Sequence, residues 1–144
     1  MSALSKLRDE LLATHHIGRI ERMLELGRQA RDSAAALALL DELIDGDVYE
    51  RRLALTALHT YRDGKRLLRF TEDVSASLRS MAFTMVPRIC EDTEALEALK
   101  IAYTLRRDRL LLRHLANRGR RLVVDRYLDW LTSQPGLHDF ADIV

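Results

Sequence analysis

Two stretches of this chain carry the same residues at the same offsets. Asp45, Arg51, Ala54 and Thr56 recur 28 residues later as Asp73, Arg79, Ala82 and Thr84. A period of about 20–50 residues marks an array of similar supersecondary units. Such a unit has an apolar face that it cannot bury alone, so neighbouring units must stack to make a continuous core. This constraint limits the architecture more sharply than any single motif in the chain.

The units read as helices. Ala, Leu, Arg and Glu dominate, all good helix formers, while only two prolines and six glycines interrupt the 144 residues. No run alternates apolar with polar residues for long enough to make a strand. Leu4, Leu7 and Leu11 share a face of a first helix, Ala3 to Ala13, that Ser2 or Ser5 can cap. A second helix runs from Thr14 to about Ala30 with Ile17, Ile20, Met23 and Leu24 inward, and Gly27 in it permits a close helix contact. Asp32-Ser33 caps a helix from Ala34 to Ile44, and Asp45-Gly46-Asp47 ends it, with Gly46 suited to a left-handed C-cap. Asp47 caps the next helix, Val48 to Arg62. A short helix, Lys65 to Phe70, then precedes a long stripe from Val74 to about Cys90 in which Pro87 predicts a kink or an early end. Asp92-Thr93 caps a helix to about Leu105. Further helices follow over Arg107 to Asn117 and Arg120 to Thr132, and Pro135-Gly136 stops the last.

Paired in order, these segments make helix–turn–helix five times, the last pair incomplete. The expected organisation is one helical-repeat domain over 1–144. It comprises a less regular pair over 1–31, the best-matching repeats over 33–118, and a terminal helix with its tail over 120–144. The chain is then either the N-terminal part of a longer array or closed by a short cap of Leu137, Phe140 and Ile143.

The repeated unit resembles the HEAT repeat. Leu39-Leu40-Asp41-Glu42-Leu43-Ile44-Asp45-Gly46-Asp47, followed by Val48, Arg51 or Arg52, Ala54 and Leu58, fits that family's apolar helix, Asp-containing turn and second helix. The copy around Asp73, Arg79, Ala82 and Val86 fits less fully because its first helix is short. The resemblance implies an all-α, right-handed αα superhelix, a HEAT-like solenoid of about four to five helical pairs. It also implies that Asp45 and Asp73 lie in inter-helix turns, near enough to Arg51 and Arg79 to form a structural ladder between neighbouring repeats.

Catalytic chemistry finds little support in the residues. His15 and His16 are adjacent and point about 100° apart on a helix, so they cannot easily share one metal. The chain has no His-Glu dipeptide, the pair used by metal-dependent HEAT-like enzymes. His59 and His114 lack a nucleophile at a suggestive spacing, and no two glycines are close enough for a phosphate loop. Cys90, the single cysteine, permits neither an internal disulfide nor a cysteine-rich zinc site, and reads as a small buried apolar residue. HEAT-like DNA glycosylases place aromatics around a catalytic Asp, whereas Trp130 has Asp129 beside it and the aromatics are unclustered in sequence. The sequence therefore predicts no catalytic residue, no metal and no cofactor.

Binding is the better expectation. Formal net charge is only +1. Non-core positions of the second helices, however, stack as Arg52, Thr56 and Thr60, then Ser80, Thr84 and Arg88, then Arg109, Arg113 and Asn117, with Arg121 flanking the far end. In solenoids of this kind the second helices line the concave surface, and a basic concave stripe suits an acidic peptide or a phosphate backbone. The expected function is a non-enzymatic scaffold that binds an acidic protein or peptide through Arg52, Arg88, Arg109, Arg113 and Arg121. The alternative is a nucleic-acid-binding repeat protein. With no secretory signal, no membrane-spanning run and one cysteine, a cytoplasmic location is expected. The repeat alignment itself is testable. If Ala54 and Ala82 both mark close helix contacts, Ala82→Leu should overpack its site and cost about 1–3 kcal/mol in thermal unfolding, whereas unchanged stability would show the alignment to be wrong.

Overall fold

Short polar side chains start four of the described helices. The computed structural model describes residues 2–134. The Ser5 amide donates to Ser2 Oγ at 3.1 Å and opens α1, Ala3–Leu12. After α2, His16–Gln29, the Ala36 amide donates to Ser33 Oγ at 3.2 Å and opens α3, Ala34–Ile44. At α4, Val48–Tyr61, the Glu50 amide donates to Asp47 at 2.8 Å and the Asp47 amide donates back to Glu50 at 3.2 Å, a reciprocal capping box. Then come α5, Gly64–Phe70, and α6, Ala76–Ile89, capped by Ser75, followed by α7, Asp92–Arg106, α8, Leu110–Asn117, and α9, Arg121–Thr132. Every regular element among the described residues is a helix, so the fold class is all-α. None of these helices is long and apolar enough to cross a membrane.

Contacts divide the chain into two compact units, Met1–Asp63 and Gly64–Val144. In the first unit α1 packs on α3 and α2 on α4, so first helices meet first helices and second helices meet second helices. Leu7, Leu11, Met23, Leu26, Leu40, Leu43, Leu55 and Leu58 are buried at this core. The contact of α2 with α4 is the broadest in the unit, and Gly27 makes it possible. A Cβ at Gly27 would lie 2.1 Å from the Ala57 carbonyl oxygen and 2.0 Å from Thr60 Oγ1. Bare backbone on α2 thus rests on the backbone of α4, and Thr60 Oγ1 donates across the contact to the Leu24 carbonyl at 2.7 Å. Arg31 secures the same region by donating to the Thr60 carbonyl at the end of α4. Arg19, on α2, turns back to the carbonyls of Leu11 and Thr14 at 2.8 Å and so satisfies the end of α1.

The second unit repeats the scheme. Here α5 packs on α7 and α7 on α9, while α6 packs on α8. Phe70, Leu78, Ala82, Phe83, Met85, Val86, Leu99, Leu111 and Leu115 are buried. Arg120 is its latch, donating to the Pro87 carbonyl at 2.9 Å and the Cys90 carbonyl at 3.4 Å, and pairing with Asp92. One guanidinium thereby joins the start of α9 to the end of α6 and the start of α7. Pro87 lies in the last turn of α6, which ends two residues later at Ile89.

Several local expectations need correction. Gly46 is not left-handed: Asp45 is the C-cap at φ −89°, and Gly46 is needed because a Cβ there would stand 2.7 Å from the Glu50 side chain of the capping box. The left-handed caps fall instead on Arg62, at φ 52°, and Arg107, at φ 53°. Each costs about 1–2 kcal/mol of local strain relative to the right-handed form. Arg107 therefore ends α7 rather than beginning α8. The N-cap of α7 is Glu91, whose amide donates to Glu94 at 2.9 Å, in place of Asp92 or Thr93. Ile17 and Ile20 are 63% and 40% exposed although they continue the apolar stripe of α2, because the helix contact tightens only beyond them. The tail residues Leu137, Phe140 and Ile143 lie outside the described residues. Gly27→Ala tests the central contact. Alanine has the better helix propensity by about 1 kcal/mol, yet its methyl would force α2 off α4, and such overpacking costs about 1–3 kcal/mol. Circular dichroism melting should show a net loss of stability, and an increase would show that the two helices separate freely.

Candidate functional site

The contact of α2 with α4 is unequal along its length. Gly27 and Leu24 meet Ala57 and Thr60 near the C-terminal ends of both helices. Nearer their N-terminal ends, His16, Ile20 and Met23 of α2 face Tyr49, Arg52 and Leu53 of α4 across a cavity of about 120 Å³. The two helices therefore run in the same direction, closest at the glycine and parted by large side chains at the other end. The floor is apolar, with Met23 and Leu53 buried and Ile20 partly exposed. Arg52 and His16 are exposed, and Tyr49 is 41% exposed. His15, the N-cap of α2, makes no side-chain cap hydrogen bond, so the first-turn amides of that helix have no side-chain acceptor. Amides and positive helix ends of this kind favour negative charge.

Sequence reasoning placed Ile20 and Met23 in the core and missed the cleft that they share with Tyr49. The signal for it was the order of residue sizes on α2. A glycine follows two large residues on one face, which brings a parallel neighbour close at one end only.

The other candidate binding arginines lie in the second unit. Arg88 is exposed in the last turn of α6, and Arg113 is exposed on α8, which packs on α6. Arg109 is exposed at the N-cap of α8, just outside the helix. Arg121 begins α9, which packs on α7, and lines a cavity of about 250 Å³ with Asp92, Gly119, Arg120 and Val123. Thr60, read as part of the same outward stripe, is instead used up in the contact of α2 with α4. The proposed ladder residues have local partners in their own turns: Arg51 Nη1 donates to the Gly46 carbonyl at 2.9 Å, and Arg79 Nη1 donates to the Asp73 carbonyl at 2.6 Å. Asp73 also accepts the Ser75 amide at 2.9 Å, and Asp45 is the C-cap of α3.

Three aromatics, Tyr103, Tyr127 and Trp130, gather in space. Trp130 stands edge-on to Tyr103 and stacks with Tyr127, both at 5.9 Å between ring centroids. The Arg107 guanidinium lies 4.3 Å from the Tyr103 ring centre, and the Lys100 ammonium 5.5 Å from that of Trp130. Tyr127 and Trp130 lie one turn apart on α9, and α7 brings Tyr103 to them.

Among the described residues no group of three His, Cys, Asp or Glu side chains could hold a metal ion. His15 and His16 are exposed, and Cys90 is buried with Sγ 3.9 Å from the Gly64 carbonyl. No family model, no curated protein and no solved structure matches the chain.

Burial pushes the Tyr127 phenol up from 10.0 to about 12; nearby Tyr103 acts in the same direction, and Arg107 opposes it. An unfolded phenol ionises near pH 10, so the folded chain keeps this proton longer. The stabilisation is complete below about pH 10 and is lost as pH rises toward 12. Melting temperature should therefore fall across that window, and the Tyr127→Phe variant, which has no phenol to ionise, should fall less. Equal falls in the two proteins would place the pH dependence elsewhere.

Proposed function

We propose that this protein is a non-enzymatic binding module of the HEAT-like solenoid class that holds a short acidic peptide against its second helices. The observation that carries this reading is the cleft between the parallel helices α2 and α4. Its floor of Ile20, Met23 and Leu53 takes apolar side chains, while Arg52 and the uncapped start of α2 take carboxylates. Contact of first helix with first and second with second, repeated inside each unit, supports the solenoid class. Within the second unit the exposed Arg88, Arg109 and Arg113 extend the same preference for anions to its own second helices.

A labelled peptide alternating leucine with glutamate is the direct probe. Charge reversal by Arg52→Glu should weaken its binding about tenfold or more, a change of roughly 1.4 kcal/mol or above. Melting temperature should stay nearly constant, because exposed substitutions usually alter stability by less than about 0.5 kcal/mol. Unaltered affinity in that variant would refute the cleft. A short labelled DNA duplex, titrated over rising salt, separates the two classes of partner. Tighter binding to the duplex than to the peptide, with a steep fall as salt increases, would overturn the peptide reading in favour of nucleic acid.

A further inference from the structure

The second unit carries a groove of different character beside the aromatic cluster. Glu97, Lys100, Ile101, Thr104 and Leu105 follow one another along α7 at helical spacing and form its outward stripe, opposite the buried Ala95, Ala98, Leu99 and Ala102. Glu72, from the turn between α5 and α6, and Trp130, from α9, complete a groove of about 350 Å³. Both glutamates are exposed, and neither carboxylate has a hydrogen-bond or ion-pair partner among the described residues. Leu105 is 54% exposed, a large apolar side chain on the same wall.

Within this groove the Trp130 ring already receives a cation from the chain itself, the Lys100 ammonium. An indole face attracts cations through its quadrupole, and two nearby carboxylates add to the attraction. We infer that this groove is a docking site for a basic peptide segment of a partner protein, one that carries a lysine or arginine next to an apolar residue. The cationic head lies between Glu72 and Glu97 and displaces Lys100 from Trp130. The aliphatic stem and the apolar neighbour cover Ile101 and Leu105, as long basic side chains do when they bury their stems and keep the charge in a polar setting. The chain's own residues 135–144 contain Asp139 and Asp142 but no lysine or arginine, so their charge does not complement the groove. This site lies on the first-helix side of its unit and is independent of the cleft between α2 and α4.

Trp130 is the only tryptophan in the chain, so its fluorescence reports on this groove alone. The probe is a peptide alternating leucine with lysine, blocked at both ends and free of aromatic residues, titrated at low salt. Saturable change in Trp130 emission is expected, and the double variant Glu72→Gln, Glu97→Gln should bind at least tenfold more weakly without a change in melting temperature. Lys100→Met removes the competing cation while keeping the stem, and should bind several-fold more tightly. Arg52→Glu should leave the titration unaltered, which separates this site from the acidic-peptide cleft. Equal affinity in the double glutamine variant, an equal response to the matching leucine–glutamate peptide, weaker binding by Lys100→Met, or sensitivity to Arg52→Glu would each overturn the assignment.

Discussion

None of the described helices can support itself. They run from 7 to 15 residues, at or below the length at which an isolated helix persists in water. Each must therefore be held by a neighbour that covers its apolar stripe, and the capping side chains only decide where it starts. Within each unit the result is contact between alternate helices, α1 with α3 and α2 with α4 in the first, α5 with α7, α6 with α8 and α7 with α9 in the second. Close contact at these crossings depends on small residues. Gly27 and Ala57 let backbone approach backbone in the first unit, and Ala82, Ala95 and Ala98 are fully buried in the second.

The same packing leaves the clefts. Where α2 carries glycine it sits down on α4, and where it carries isoleucine and methionine it stands away from it. A cleft of this kind is a by-product of one close contact, and its lining is fixed by the residues that hold the helices apart. On α7 the logic is different. Alanines bury one face so completely that the outward face can carry charge and an exposed leucine, beside Trp130 from α9, without loss to the core.

Much of this was legible in the sequence, because the signals are local. Ser2, Ser33 and Asp47 cap the helices that they precede, and the apolar spacing of α3, α4 and α6 names most of their buried residues. The close contact at Gly27 was also readable, since a glycine inside a helix needs a reason. What was not legible depended on neighbours remote in sequence. Ile17 and Ile20 obey the stripe, but burial depends on whether α4 reaches them. Helical spacing turns Leu53, Ala54, Ala57, Leu58 and Tyr61 of α4 inward, and Leu78, Met81, Ala82, Met85, Val86 and Ile89 of α6; Leu55 and Phe83 lie off these faces yet are buried. Arg107 follows a good helical pattern but stops the helix through a left-handed backbone, which periodicity does not encode. Trp130 and Tyr103 are 27 positions apart, and only the packing of α9 on α7 makes them neighbours.

The arginines show most clearly how counting differs from structure. Arg19, Arg51, Arg79 and Arg120 each donate to main-chain carbonyls at helix ends or turns, and thus work as fasteners of the backbone. A guanidinium that lies against carbonyl oxygens has much of its field compensated locally. With a formal net charge of +1 and several cations spent in this way, the molecule projects little long-range potential. A partner of the proposed kind would consequently not be drawn in from a distance. It would arrive by ordinary diffusion, at the unsteered association rates of about 10⁵–10⁶ M⁻¹s⁻¹, and selection would rest on how long it stays once bound.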